Sequence, residues 1–268
     1  MKKEFLGEFI GTFMLVLFGC GSVAVSTLFD AHQGLFQIAI IWGLAVTLGI
    51  YATRNLCCAH FNPAVSIAMV ASGRMRRSKL PTYLFGQFCG AFAAALILYA
   101  LFHTAIAEFE AANGIVRGTF DSVTTAKMFG EYYIQPGGTQ AVSIWVAIAA
   151  ELFGTFMLVF GIFSLTESCN VGKPNDDAAP IFIGLTVSSC ICLLAPLTQA
   201  GFNPARDFAP RLVALIFGWG KWAFPDNVGG AFWVYILAPV VGGLIAGLFF
   251  TKIVEPNMKA KKSSCCCK

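Results

Sequence analysis

The 268-residue chain is 57% apolar and only 12% charged, with a formal net charge of +4. Soluble domains carry about 25% charged residues, so an ordinary soluble domain is excluded and the chain reads as a membrane protein made of one compact unit. Its basic residues gather near the ends of apolar runs, without the basic stripe a nucleic-acid partner needs.

Hydropathy predicts six spans, near residues 5–28, 36–54, 81–103, 141–166, 178–197 and 229–253. The first follows Met1-Lys2-Lys3-Glu4 like a signal peptide. The apolar run from Phe5 to Phe29 is too long for one and holds Glu8, so it reads as a retained span. The second span carries Trp42. After it comes His60-Phe61-Asn62-Pro63-Ala64. Asn is a strong N-cap, and Pro fits the first helical position. The apolar run from Val65 to Ala71 gives out at Ser72-Gly73-Arg74. A bilayer needs about 20 apolar residues, so this is a half-helix. The third span leads into a linker near 104–140, where Glu108, Glu110, Asp121 and Glu131 outnumber Arg117 and Lys127. In the fourth span Glu151-Leu-Phe-Gly-Thr-Phe-Met-Leu-Val repeats Glu8-Phe-Ile-Gly-Thr-Phe-Met-Leu-Val. After the fifth span, Gly201-Phe202-Asn203-Pro204-Ala205-Arg206-Asp207 repeats the cap, and its apolar run from Phe208 to Phe217 is again too short to cross. A Lys-rich tail follows the sixth span and closes on Cys265-Cys266-Cys267, candidates for reversible acylation beside the membrane.

Repeat one runs from about 4 to 103 and repeat two from about 141 to 254. Together they form a single membrane domain over 1–254, with a tail at 255–268. Three spans per repeat is an odd number, so the second enters from the opposite side. An inverted repeat places its functional site at the midplane between halves. Each half-helix N-terminus has unpaired N–H groups and roughly half a positive charge. Irregular backbone at that depth is tolerated only inside protein or along a watery cavity. Lys2, Lys3, Arg74, Arg76, Arg77, Lys79 and the tail lysines share one side, expected to be cytoplasmic. Both termini are then cytoplasmic, in a multi-pass protein of the cell membrane. The pairs Gly7/Gly11, Gly86/Gly90 and Gly243/Gly247 have the spacing of close helix contacts.

Two Asn-Pro-Ala triplets, one per repeat, with Arg206 and Asp207 after the second, resemble the aquaporin and aquaglyceroporin family over about residues 4 to 254. The resemblance implies an all-α membrane fold of six transmembrane helices plus two re-entrant half-helices. It also implies one pore per subunit, a homotetramer in the lipid bilayer, and passive passage of small uncharged solutes without ions or protons. Asn62, Pro63, Ala64, Asn203, Pro204 and Ala205 would form the paired motifs, each Asn amide capping its helix and donating to a permeant oxygen. Trp42, Ile191, Ala200 and Arg206 would form the outer constriction. Backbone carbonyls of Cys58, Ala59, His60, Gln199, Ala200 and Gly201 would line the path and replace part of a solute's hydration shell. Trp-Ile-Ala-Arg resembles the nodulin-like members, which pass water, glycerol and some uncharged metalloid acids. Ile191 stands where a water-selective member has His, and Ala200 where a typical glycerol channel has Phe. Asp207 and Arg211 resemble glycerol-channel choices, Tyr235 a water-channel one. Glycerol-like polyols and water are the expected solutes, with urea and metalloid acids beside them. A water-selective channel is the nearest alternative.

Glu8 and Glu151 admit two readings. Intramembrane carboxylates serve proton-coupled transporters, the alternative from another class. Here they are expected instead to accept hydrogen bonds from the backbone N–H groups of their own half's inbound loop. Arg206 is expected at the constriction rather than in a salt bridge to Asp207. Cys57, Cys58, Cys89, Cys190 and Cys192 read as small hydrophobes. His32 and His103 are expected to be exposed near span ends. No Ser-His-Asp, metal-ligand or phosphate-loop pattern is present, so no enzyme activity, metal or cofactor is expected.

Overall fold

The computed structural model describes residues 2–32, 34–134, 142–224 and 229–258. Gly137, Gly138 and the Cys265–Cys267 tail lie outside the described residues. Regular structure among the described residues is entirely helical: α1 Lys2–Phe29, α2 Leu35–Thr53, α3 Pro63–Ala71, α4 Leu80–Ala112, α5 Val123–Ala126, α6 Ile144–Thr166, α7 Ala179–Thr198, α8 Pro204–Ala214, α9 Gly229–Phe232 and α10 Ala238–Phe249. A π-turn, Trp233–Leu237, joins α9 to α10. Among the described residues, six helices are long and apolar enough to cross a membrane, the last running from Gly229 to Met258.

The spans fall where hydropathy placed them, with one difference. The third was predicted to stop near residue 103, and α4 continues to Ala112. Hydropathy marks only the apolar stretch, whereas the extra turns are held by side chains. Glu110 is buried there. It pairs with Arg117 at 2.9 Å and accepts from Thr125 Oγ1 at 2.6 Å. His103 is exposed, but it lies within α4 rather than at its end, and His32 is half-buried.

α1 packs on α2 and α4, and α6 packs on α7 and α10, so the two halves have the same internal arrangement. α2 and α7 join them. A Cβ added at Gly43 would sit 2.5 Å from the Gly184 carbonyl oxygen, and one at Gly184 would sit 2.4 Å from that of Gly43. The backbones therefore touch where both residues lack side chains. Gly86 and Gly90 of α4 meet the Phe5 and Phe9 carbonyls of α1 in the same way. Gly7 and Gly11 do not serve a helix contact, although their spacing suggested one. They face Cys57 and Phe61 of the inbound loop. The outer surface stays apolar, with Leu101, Trp145 and Leu193 each exposed.

The half-helices begin as the caps require. Asn62 Oδ1 accepts from Ala64 N–H at 2.9 Å. Asn203 Oδ1 accepts from Ala205 N–H at 3.1 Å and Arg206 N–H at 3.2 Å. Pro63 and Pro204 open the helices without a donor to satisfy.

Candidate functional site

The two inbound loops share an unusual backbone. Ala59 and Phe61 in the first have φ of 53° and 53°, and Ala200 and Phe202 in the second have 66° and 51°. Non-glycine residues in this left-handed region cost of order 1–3 kcal/mol each. Something must hold them, and the repeated Glu-x-x-Gly-Thr motif supplies it. Glu8 accepts from His60 N–H at 2.9 Å and Phe61 N–H at 2.8 Å. Glu151 accepts from Gly201 N–H at 2.8 Å and Phe202 N–H at 2.6 Å. One turn on, Gly11 and Gly154 leave room for the rings of Phe61 and Phe202. An added Cβ would fall 1.9 Å and 2.0 Å from their Cε1 atoms. Both carboxylates are buried and occupied with loop amides. Gln87 adds a 2.7 Å bond to Glu8, and Thr198 adds one of 2.7 Å to Glu151.

The loops meet through their caps. Asn62 Nδ2 donates to the Phe202 carbonyl at 2.9 Å, and Asn203 Nδ2 donates to the Phe61 carbonyl at 2.7 Å. Each amide oxygen therefore caps its own helix, and one N–H crosses to the opposite loop. The second N–H of each amide has no other partner in this network. Phe61 and Phe202 were not singled out in the sequence. Their signal was the Phe before each Asn, matched with a Gly in each Glu-x-x-Gly repeat.

A cavity of about 420 Å³ runs past this junction. Its lining runs from Arg54, Arg74 and Asp176 past the two Asn residues to the buried Trp42 and Arg206. Of the residues singled out, Trp42, Ile191, Ala200 and Arg206 line it, as do Cys58, Ala59, His60, Gly201, Asn62 and Asn203. Pro63, Ala64, Pro204 and Ala205 stand behind it as buried helix starts. Gln199 is not among the lining residues. Its side-chain oxygen accepts from Tyr132 N–H at 2.7 Å instead. Tyr235 is also off the path and donates to the Thr198 carbonyl at 3.0 Å. Apolar Leu15, Val46, Leu158 and Val187 are also part of the wall.

The Trp42–Arg206 end carries four buried charges. The Arg206 guanidinium lies 4.0 Å from the Trp42 ring centroid, and its Nη1 forms an ion pair with Glu131. Asp207 is paired with Arg211, both contacts at 2.8 Å, and not with Arg206. Glu131 N–H donates to Asp207 at 2.8 Å, and Arg211 donates to the Glu131 carbonyl. Two cations and two carboxylates thus sum to no net charge. Glu131 was expected only as one of several exterior acids. It is 3% exposed, because the linker folds back over α8, a placement that local sequence does not signal.

At the other mouth Arg74 bridges Glu167 at 2.7 Å and Glu255 at 2.9 Å, and lies 4.5 Å from the Phe163 ring centroid. It ties the end of the first inbound segment to α6 and the last span.

The chain is 37% identical to the glycerol uptake facilitator protein of Haemophilus influenzae over 262 residues, 96% of each chain. It is 40% identical to that of Pseudomonas aeruginosa over 244 residues, covering 90% of this chain and 84% of the relative. It is 34% identical to the propanediol uptake facilitator of Salmonella typhimurium over 266 residues, 98% of this chain and 97% of the relative. Among solved structures, the aquaglyceroporin from Plasmodium falciparum superposes with a TM-score of 0.83 at 28% identity, over 96% of this chain and 98% of that one. The major intrinsic protein family model matches residues 1–250. With the paired caps, the inverted halves and these matches, the chain belongs to the major intrinsic protein family and has the aquaporin fold.

Proposed function

We propose that the protein is a passive channel for glycerol and related small uncharged solutes, with water among them. The observation that carries this reading is a cavity in which Asn62, Asn203 and Arg206 offer donors beside apolar Trp42, Ile191 and Leu158. A polyol has hydroxyls along one edge and CH groups along the other. It exchanges water hydrogen bonds for amide, guanidinium and carbonyl partners, while its carbon edge rests on the apolar wall. A polar group stripped of water without replacement costs about 1–3 kcal/mol. A wholly apolar solute would leave the donors unpaired, and an ion would lose its hydration shell. The facilitator names of the bacterial relatives support the solute class.

The coupled-transporter alternative needs a titrating group on the path. Glu8 and Glu151 are its candidates, and both are spent on loop amides away from the cavity. The water-selective alternative needs a narrow, polar outer constriction, and Ile191 and Ala200 supply neither. The cytoplasmic placement of both termini and of the Arg74 mouth, residence in the cell membrane and assembly as a homotetramer complete the proposal. Their support is the distribution of Lys and Arg, the apolar outer surface and the family.

The test is a filter exchange. Ile191→His together with Ala200→Phe should abolish glycerol flux into proteoliposomes and retain water flux. Undiminished glycerol flux in that variant would show that solutes are sorted elsewhere.

A further inference from the structure

Arg206 is a buried cation lining the cavity, and the carboxylate paired with it comes from the linker between the two halves. Glu131 reaches it from the segment Gly130-Glu131-Tyr132-Tyr133, every residue of which is buried. The segment is pinned on all sides. Glu131 N–H donates to Asp207, its carbonyl accepts from Arg211, Tyr132 N–H donates to Gln199, and Tyr132 OH donates to the Trp222 carbonyl at 2.8 Å. Gly130 lies so close to Arg211 that a Cβ would meet its Cγ and Cζ at 2.7 Å. Glu131 therefore has a fixed backbone and presents its carboxylate to one edge of the guanidinium. The Trp42 ring holds the guanidinium face. Face and edge together set where the remaining donors point.

We propose that Glu131 is a positioning residue for the solute filter: it draws one edge of Arg206 out of the lumen, cancels its charge, and so sets the ratio in which polyol and water pass. This rests on the reading of Arg206 as part of the filter. Without the carboxylate, Arg206 keeps a buried full charge and a donor with no partner. Such a group turns toward the only polar space left, the lumen, and holds water there. The opening narrows for a carbon chain and stays wide enough for water.

The experiment is a double-mutant cycle in proteoliposomes at pH 8, read as glycerol permeability divided by water permeability. Glu131→Gln is expected to lower the ratio about fivefold, through loss of the buried ion pair, and Glu131→Asp to lower it by less. In the Arg206→Val background, Glu131→Gln should leave the ratio unchanged, since the residue acts only through Arg206. A purely structural role would lower both permeabilities together and keep their ratio. A wild-type ratio in Glu131→Gln, or in Glu131→Asp should the Gln variant not assemble, overturns the proposal. So does an equal effect with and without Arg206. If Arg206→Val itself leaves the ratio untouched, the failure lies with the filter reading and not with Glu131.

Discussion

Arg206 is a cation that carries its own counterion. Replacing it by Val removes the positive charge and strands Glu131, and an unpaired buried charge costs about 3–5 kcal/mol. The single variant should therefore be less stable and, at a pH well above 8, where Glu131 ionises even without the pull of Arg206, it should leak sodium because it leaves a negative charge there. Arg206→Val with Glu131→Gln should be tight to sodium again. Equal sodium currents in the two variants, recorded in planar bilayers, would show that charge at this position does not govern ions. Burial pushes the Glu131 carboxyl up to about 7, against the pull of Arg206, with Asp207 and Arg211 beside it. In the unfolded chain such a group keeps its charge down to about 4.3. Between those values the folded protein holds the extra proton, so this group's contribution to stability falls as pH rises through 7. On the acid side the ion pair is lost. The glycerol-to-water ratio of the wild type should drift toward that of Glu131→Gln as pH falls from 8 to 6, while Glu131→Gln should not respond. Parallel drift in both would assign the pH effect to another group. Arg206 was legible because it follows Asn203 directly. Glu131 was not, because its position depends on a long linker returning to the bundle.

At the scale of elements, the half-helices follow from local chemistry. An Asn cap and a Pro at the first position start a helix wherever they occur, and the observed starts are at Pro63 and Pro204. What keeps the loops in place is encoded far away, in α1 and α6. The repeat of Glu-x-x-Gly-Thr was visible in the sequence, and so was the purpose of its Glu. The purpose of its Gly was not, because small residues at that spacing also serve helix contacts, as Gly86 and Gly90 do here. Gly154→Ala is expected to cost about 1–3 kcal/mol through overpacking against Phe202, and Phe202→Leu should recover part of it. Thermal unfolding in detergent reads this. Equal stability of Gly154→Ala and wild type would mean the ring has room to move. The long α4 shows the opposite limit of sequence reading. Its last turns are stabilised by Glu110 and Arg117 rather than by lipid, so hydropathy stopped too early.

Across the whole molecule, the inverted repeat brings two helix N-termini to one point through the crossed bonds of Asn62 and Asn203. Each terminus contributes about half a charge. At an effective dielectric near 20 and roughly 4 Å, the pair opposes a cation by about 4 kcal/mol, near a thousandfold in rate. A cation barrier of this kind would sit at the Asn62–Asn203 junction rather than at Arg206, which is paired with Glu131. The fold class, the six spans and the meeting of the two Asn caps were legible because hydropathy and the internal repeat are properties of the whole chain. The charge balance around Arg206 was hidden because it joins the linker to α8. The central claim is passive conduction of a polyol through this cavity, and stopped-flow light scattering of wild-type proteoliposomes tests it most directly. Glycerol entry should scale linearly with its gradient well into the millimolar range and should ignore an imposed proton gradient. Water flux without glycerol flux, or glycerol accumulation driven uphill by pH, would contradict it.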